Sequence, residues 1–266
     1  MTDRKSRLLL VLSGIFLVNA LLAEIIGIKI FSLEAALGVS GAGVRVFGSE
    51  PLDFNLTAGA VIWPVVFITT DIINEYYGPS GVRRVSWLTA GLLLYAFVAI
   101  WLVTTLPGAA AWFTYNKTDA GGNPINISLV FNKIFRQGQG IIVGSLVAFL
   151  VGQLIDATVF AWLRRQTGER YIWLRATGST LVSQLIDSFV VLWIAFHLYG
   201  DWPLSLVLQL ATVNYMYKGA AAILLTPLVY VAHGVIDRYL GPATAQALET
   251  AAAADADAPQ APAPQP

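Results

Sequence analysis

Six apolar runs, each long enough to cross a bilayer, constrain this chain more than any other feature: Leu8 to Phe31, Leu56 to Tyr76, Val85 to Leu106, Gly140 to Leu163, Thr177 to Leu198 and Ala211 to Val235. Crossing about 30 Å of hydrocarbon takes roughly 20 helical residues. A backbone that meets no water must satisfy its own hydrogen bonds, so runs of this length are read as helices. The expected fold is therefore an all-α integral membrane protein with six transmembrane helices over residues 1–241. Composition agrees: 56% of the residues are hydrophobic, mean hydropathy is +0.67, and the charges fall mainly between the runs. Arg4, Lys5 and Arg7 precede the first run as they would in a signal peptide, but the run is too long and carries Glu24 and Lys29.

The excess of Lys and Arg sets the expected orientation. Arg4, Lys5 and Arg7, then Arg83 and Arg84, then Arg164, Arg165 and Arg170, and finally Arg238 fall on one side. Arg45, Lys117, Lys133 and Arg136 fall on the other. Both termini are thus expected in the cytoplasm, with the chain multi-pass in the inner membrane and lipid as its surroundings. In the first outer connection, Gly43 to Phe47 and Leu52 to Leu56 alternate around a Gly-Ser-Glu-Pro turn and are read as a small β-hairpin. In the second, Ile127 to Arg136 is read as an amphipathic helix at the interface. Residues 242–266 are Ala, Pro, Gln and Asp, and are expected to form a disordered low-complexity tail. A net charge of zero indicates no nucleic-acid partner, and the lack of cysteine excludes thiol catalysis and thiolate metal sites. No metal or cofactor is expected. Whether a second copy of the chain is a partner, as in a homodimer, is left open.

Polar residues inside the runs carry the chemistry. Gln-Leu-Ile-Asp occurs at Gln153 to Asp156 and again at Gln184 to Asp187, 31 residues later. Leu150, Val151, Val159 and Trp162 recur at the same offset as Leu181, Val182, Val190 and Trp193. Gln and Asp three apart share a helix face. Consecutive spans run antiparallel, so this inverted-type repeat in helices four and five is expected to set two amide and carboxylate pairs opposite each other at the midplane, where transporters bind solutes. A carboxylate at that depth costs about 2.5 to 3.5 kcal/mol on insertion scales, and the competing reading is that both pairs only bridge helices.

Helix two places Asp71 and Glu75 one turn apart, where like charges repel, so one holds a proton or both share a cation. Trp63 and Phe67 continue the same stripe and offer ring faces to a planar ligand. Glu24, in helix one, is either a coupling residue, as Glu75 is also taken to be, or a packing partner of Lys29. Helix six adds Asn214 and Lys218, four apart. Lys218 needs an anion, and Asp71, Asp156, Asp187 and Glu24 are the candidates. Ser179 and Ser183 are read as packing residues, His197 and His233 as interfacial, and Pro227 as a kink.

Thr70-Asp-Ile-Ile-Asn-Glu-Tyr-Tyr-Gly, Gly152-Gln-Leu-Ile-Asp-Ala-Thr-Val-Phe, Gly178-Ser-Thr-Leu-Val-Ser-Gln-Leu-Ile-Asp-Ser, Asn214-Tyr-Met-Tyr-Lys and Thr226-Pro-Leu-Val-Tyr resemble, in order and spacing, the queuosine precursor transporter family, also called the vitamin uptake transporter family. The resemblance runs from about Leu8 to Leu240 and implies an inner-membrane importer of 7-cyano-7-deazaguanine and 7-aminomethyl-7-deazaguanine, not an enzyme. Such a ring presents an N–H and an exocyclic amine side by side, which one carboxylate, Asp156 or Asp187, accepts in charge-assisted bonds. Gln153, Gln184 and Asn214 suit its carbonyl edge, and Trp193, Trp63 or Phe67 its face.

Two other readings compete. One is the substrate-binding subunit of an ATPase-driven vitamin importer, since the chain has no nucleotide-binding loop of its own. The other is an intramembrane metal-dependent transferase built on Asp71 and Glu75. That chemistry needs bases to grip a diphosphate, and Lys218 is the only deep cation.

Overall fold

The structure is a computed structural model that describes residues 3–27, 29–41, 43, 53–136, 139–167, 171–198 and 201–257. It is mostly helical. Helix α1 spans Arg4–Ile26, a short strand β1 Ile30–Ser32 leads into α2 at Leu33–Leu37, and β2 at Asn55–Thr57 leads through a 3-10 turn at Ala58–Val61 into α3, Trp63–Thr105. Two short helices, α4 (Ala110–Tyr115) and α5 (Ile127–Arg136), precede α6 at Gln139–Thr167. Helix α7 covers Ile172–Leu192 and winds on as a π-helical turn to Leu198. Helices α8 (Leu204–Leu224), α9 (Thr226–Leu240) and α10 (Pro242–Asp257) complete the described chain. Among the described residues α1, α3 and Thr177–Leu198 are each long and apolar enough to cross a membrane, and α8 with α9, bent by 46° at their break, makes a fourth. Pro227, just inside α9, removes a backbone donor at that bend.

Contacts at both ends set the direction of the first helices. The Tyr77 hydroxyl donates to the Lys5 carbonyl at 2.7 Å. At the other end the 3-10 turn packs so tightly on α1 that a Cβ on Gly59 would lie 2.5 Å from the Ala23 carbonyl oxygen. Helix α1 and the first part of α3 are therefore antiparallel neighbours. Leu8, Leu12, Phe16 and Ala20, every fourth residue of α1, make a buried stripe in one cluster with Val66, Ile73 and Tyr76.

Helix α3 runs for 43 residues, about 65 Å at 1.5 Å per residue, or twice the hydrocarbon thickness. It is broken at Gly78, whose φ of 68° and ψ of −177° belong to a region open essentially to glycine alone. Pro79 follows and contributes no N–H. The second and third expected spans are thus joined at a kink rather than by a loop, and Arg83 and Arg84 lie in helix. Val82, Val85 and Leu93 beyond the kink enter the same buried cluster as Ile73 and Tyr76 before it.

The tail departs from expectation. Of the expected tail, Pro242–Asp257 is helix α10, and residues 258–266 lie outside the described residues. Alanine is the strongest helix former, and Ala245, Ala252 and Ala256 are buried, their small side chains allowing close approach. The Asp255 carboxylate accepts the Ser80 N–H at 2.8 Å, and a Cβ on Gly78 would fall 2.7 Å from that same carboxylate. Composition marked the segment as unable to form a core of its own, and it does not; it borrows the surface of α3.

In the first outer connection, residues 44–52 of the expected hairpin lie outside the described residues. The strands described are instead its flanks: Ile30–Ser32 pairs antiparallel with Asn55–Thr57, with Phe31 opposite Leu56. The Ser32 hydroxyl caps α2 by accepting the Ala35 N–H at 3.1 Å, and buried Glu34 accepts the Phe54 N–H at 2.7 Å. Ile127–Arg136 is helical as expected.

Candidate membrane-embedded polar site

The two Gln-Leu-Ile-Asp copies lie side by side on α6 and α7. The Ser183 hydroxyl donates to Asp156 Oδ1 at 3.2 Å, while a Cβ on Gly152 would stand 3.8 Å from the Asp187 Cβ. Residue 156 thus faces 183 and residue 152 faces 187, which makes the helices antiparallel and brings the motifs to equal depth. Their acids are used differently. Asp156 is held by the hydroxyls of Ser183 and Ser179, so those serines serve the carboxylate rather than packing alone. Asp187 accepts from Lys218 Nζ on α8 at 2.7 Å, with both side chains buried. This answers which acid balances Lys218: it is Asp187, not Asp71, Asp156 or Glu24. Gln184 is buried and its Oε1 has no hydrogen-bond partner, nor has the Ser188 hydroxyl. The Gln153 side chain lies outside the described residues.

Helix α3 contributes the second pair of acids. Glu75 is 3.6 Å from the Arg164 guanidinium of α6. Arg164 also donates to the carbonyls of Glu75 at 3.0 Å and Glu249 at 2.9 Å, tying α3 and α10 to α6. Asp71, one turn away, is 4% exposed, and its Oδ1 is buried with no hydrogen-bond partner. The Asp156 and Glu75 carboxylates stand close enough to repel it. Within this centre, apart from Glu34 in the outer connection, the buried acids Asp71, Glu75, Asp156 and Asp187 accompany two buried cationic side chains, Lys218 and Arg164, and each of those two is committed to a different acid.

The aromatics flank this centre unevenly. Trp63 and Phe67 stack, with ring centroids 5.6 Å apart and planes 19° from parallel. Lys218 Nζ sits 5.9 Å from the centroid of the Trp63 ring, a cation–π distance. Phe67, Asp71 and Thr177 line a small cavity with Pro64, Ile68 and Val229. Trp193 and its repeat mate Trp162 are on the outer surface, 43% and 56% exposed, so neither covers the site. Asn214 shares the Lys218 face but is spent elsewhere: its amide donates to the Asn55 and Leu210 carbonyls and its oxygen accepts the Thr57 N–H, pinning β2 to α8. Glu24 is half-buried on α1. His233 is buried rather than interfacial, 3.1 Å from the Tyr76 hydroxyl, which donates to Asp237 at 2.7 Å. The sequence suggests an interfacial His233 and an Arg164 that marks orientation, but no local pattern shows their partners or those of Tyr76, which lie 85 to 161 residues away.

Apolar helices long enough to span a bilayer, joined inside by buried acids and their counter-ions, define a multi-pass membrane protein. Residues 57–232 match the family described as "Putative vitamin uptake transporter", and the chain belongs to that family, one of transporters rather than enzymes. It is similar to a "Probable queuosine precursor transporter" of Bacillus subtilis (strain 168), 32% identical over 186 residues, which is 69% of this chain and 75% of the relative. It is also similar to a "Probable queuosine precursor transporter" of Haemophilus influenzae, 25% identical over 64% of this chain and 65% of that protein. A "Queuosine precursor transporter" of Escherichia coli (strain K12) is 26% identical over 63% of this chain and 67% of its own length. No solved structure matches the chain.

Proposed function

We propose that this protein imports 7-deazaguanine precursors of queuosine, 7-cyano-7-deazaguanine and 7-aminomethyl-7-deazaguanine, across the inner membrane. The observation that carries the reading is the buried polar centre: Asp71, Asp156, Gln184 and Asp187 beside the stacked Trp63 and Phe67, in a chain whose relatives bear the name queuosine precursor transporter. A purine-like ring needs a flat apolar face and a few fixed polar groups at its edge, and the open oxygens of Asp71 and Gln184 suit its N–H groups. Lys218 pairs with Asp187 at depth, Gln153 is assigned as a second amide, and Asn214 supports the site through β2. Glu24 and Glu75 remain the coupling residues in this reading, with Glu75 set by Arg164. The chain crosses six times: α1, the two parts of α3, α6, α7 and the bent α8–α9 pair.

Expression in a queuosine-synthesis mutant fed limiting precursor tests the function. Restored queuosine in tRNA is expected. Its absence despite normal protein in the membrane overturns the reading.

A further inference from the structure

Resting on that reading, we infer that Asp71, rather than either acid of the repeated motif, reads the amino edge of the ring and so selects solutes carrying an exocyclic amine beside a ring N–H. Both repeat acids are already engaged, Asp156 by Ser179 and Ser183 and Asp187 by Lys218. Asp71 is equally buried, yet its Oδ1 has no partner. A buried acceptor left open costs about 1 to 3 kcal/mol, a penalty removed when a ligand donor reaches it.

The surroundings fit an amine. Asp71 lines a cavity of about 20 Å³, room for about one water-sized group, which an exocyclic amine matches. Phe67 lines the same cavity and Trp63 stacks on Phe67, so a ring whose edge enters there meets an aromatic face. Thr177 Oγ1 is the other side-chain oxygen of the lining, and it is already within 3.0 Å of Thr226 Oγ1. The remaining walls, among them Ile68, Leu225 and Val229, are apolar.

The test compares two solutes in proteoliposomes holding the full-length protein: 7-cyano-7-deazaguanine and the same compound without its exocyclic amine. Wild type should prefer the amino compound by about ten- to a hundredfold in half-saturating concentration, the cost of leaving a buried acceptor open. Asp71→Asn should bring the ratio to within about threefold, whereas Asp156→Asn should weaken both solutes alike and keep the ratio. A wild type that transports both equally overturns the inference alone, and so does Asp71→Asn with an unchanged ratio. No transport of either solute by folded wild type overturns the proposed function together with it. Should Asp71→Asn fail to fold, Asp71→Glu keeps the carboxyl group and moves the oxygens by one methylene, and it must shift the ratio as well; a wild-type ratio in that variant overturns the inference.

Discussion

At the scale of single residues, the buried charges show how far chemistry runs ahead of geometry. That Lys218 needs an acid follows from its depth alone; that the acid is Asp187 follows only from α7 and α8 meeting, at 2.7 Å. Removing one member of a buried pair leaves an uncompensated charge, at about 3 to 5 kcal/mol. Lys218→Met is therefore expected to lower thermal stability in detergent sharply, and Lys218→Met with Asp187→Asn to regain most of it. Recovery by Asp71→Asn in place of Asp187→Asn would refute the pairing. A hydroxyl in a helix ordinarily returns to its own backbone, which is why the sequence suggests only packing for Ser179 and Ser183. Ser183 does otherwise because α6 brings Asp156 within 3.2 Å, and no local pattern on α7 announces that.

At the scale of elements, the kink in α3 and helix α10 are one construction. Gly78 holds a conformation closed to side chains, and α10 fills the space that a Cβ would need. Gly78→Ala should cost about 1 to 3 kcal/mol for the backbone alone, with more from the 2.7 Å approach to Asp255. Thermal melting should show that loss, and truncation after Gly241 should relieve the steric share of it while leaving the backbone share. A Gly78→Ala protein as stable as wild type would refute the account. The span of α1 and the helix at Ile127–Arg136 were legible from apolar length and amphipathic period. Helix α10 was not, because a sequence of Ala, Gln and Asp takes its order from a partner surface.

At the scale of the whole molecule, Arg4, Lys5 and Arg164, three of the residues expected on the cytoplasmic side, are held by neighbouring stretches of α3, α9 and α10. Tyr77 meets Lys5, Arg4 donates to the Tyr239 carbonyl, and Arg164 reaches Glu75 and Glu249. The chain has no cysteine, so single introduced cysteines report topology cleanly. A cysteine at Thr250 should react with a membrane-impermeant reagent only from the cytoplasm, and one at Tyr115, 86% exposed, only from outside. Labelling of both from one side would break the six-crossing arrangement. The sequence by itself determined the membrane class, its mainly helical character and the presence of acids within apolar runs, because hydrophobic length and the cost of burying charge are properties of short segments. Only the tertiary structure decided which acid has a cation, which has hydroxyls and which stands open, because those outcomes depend on contacts between α3, α6, α7 and α8 that no segment contains.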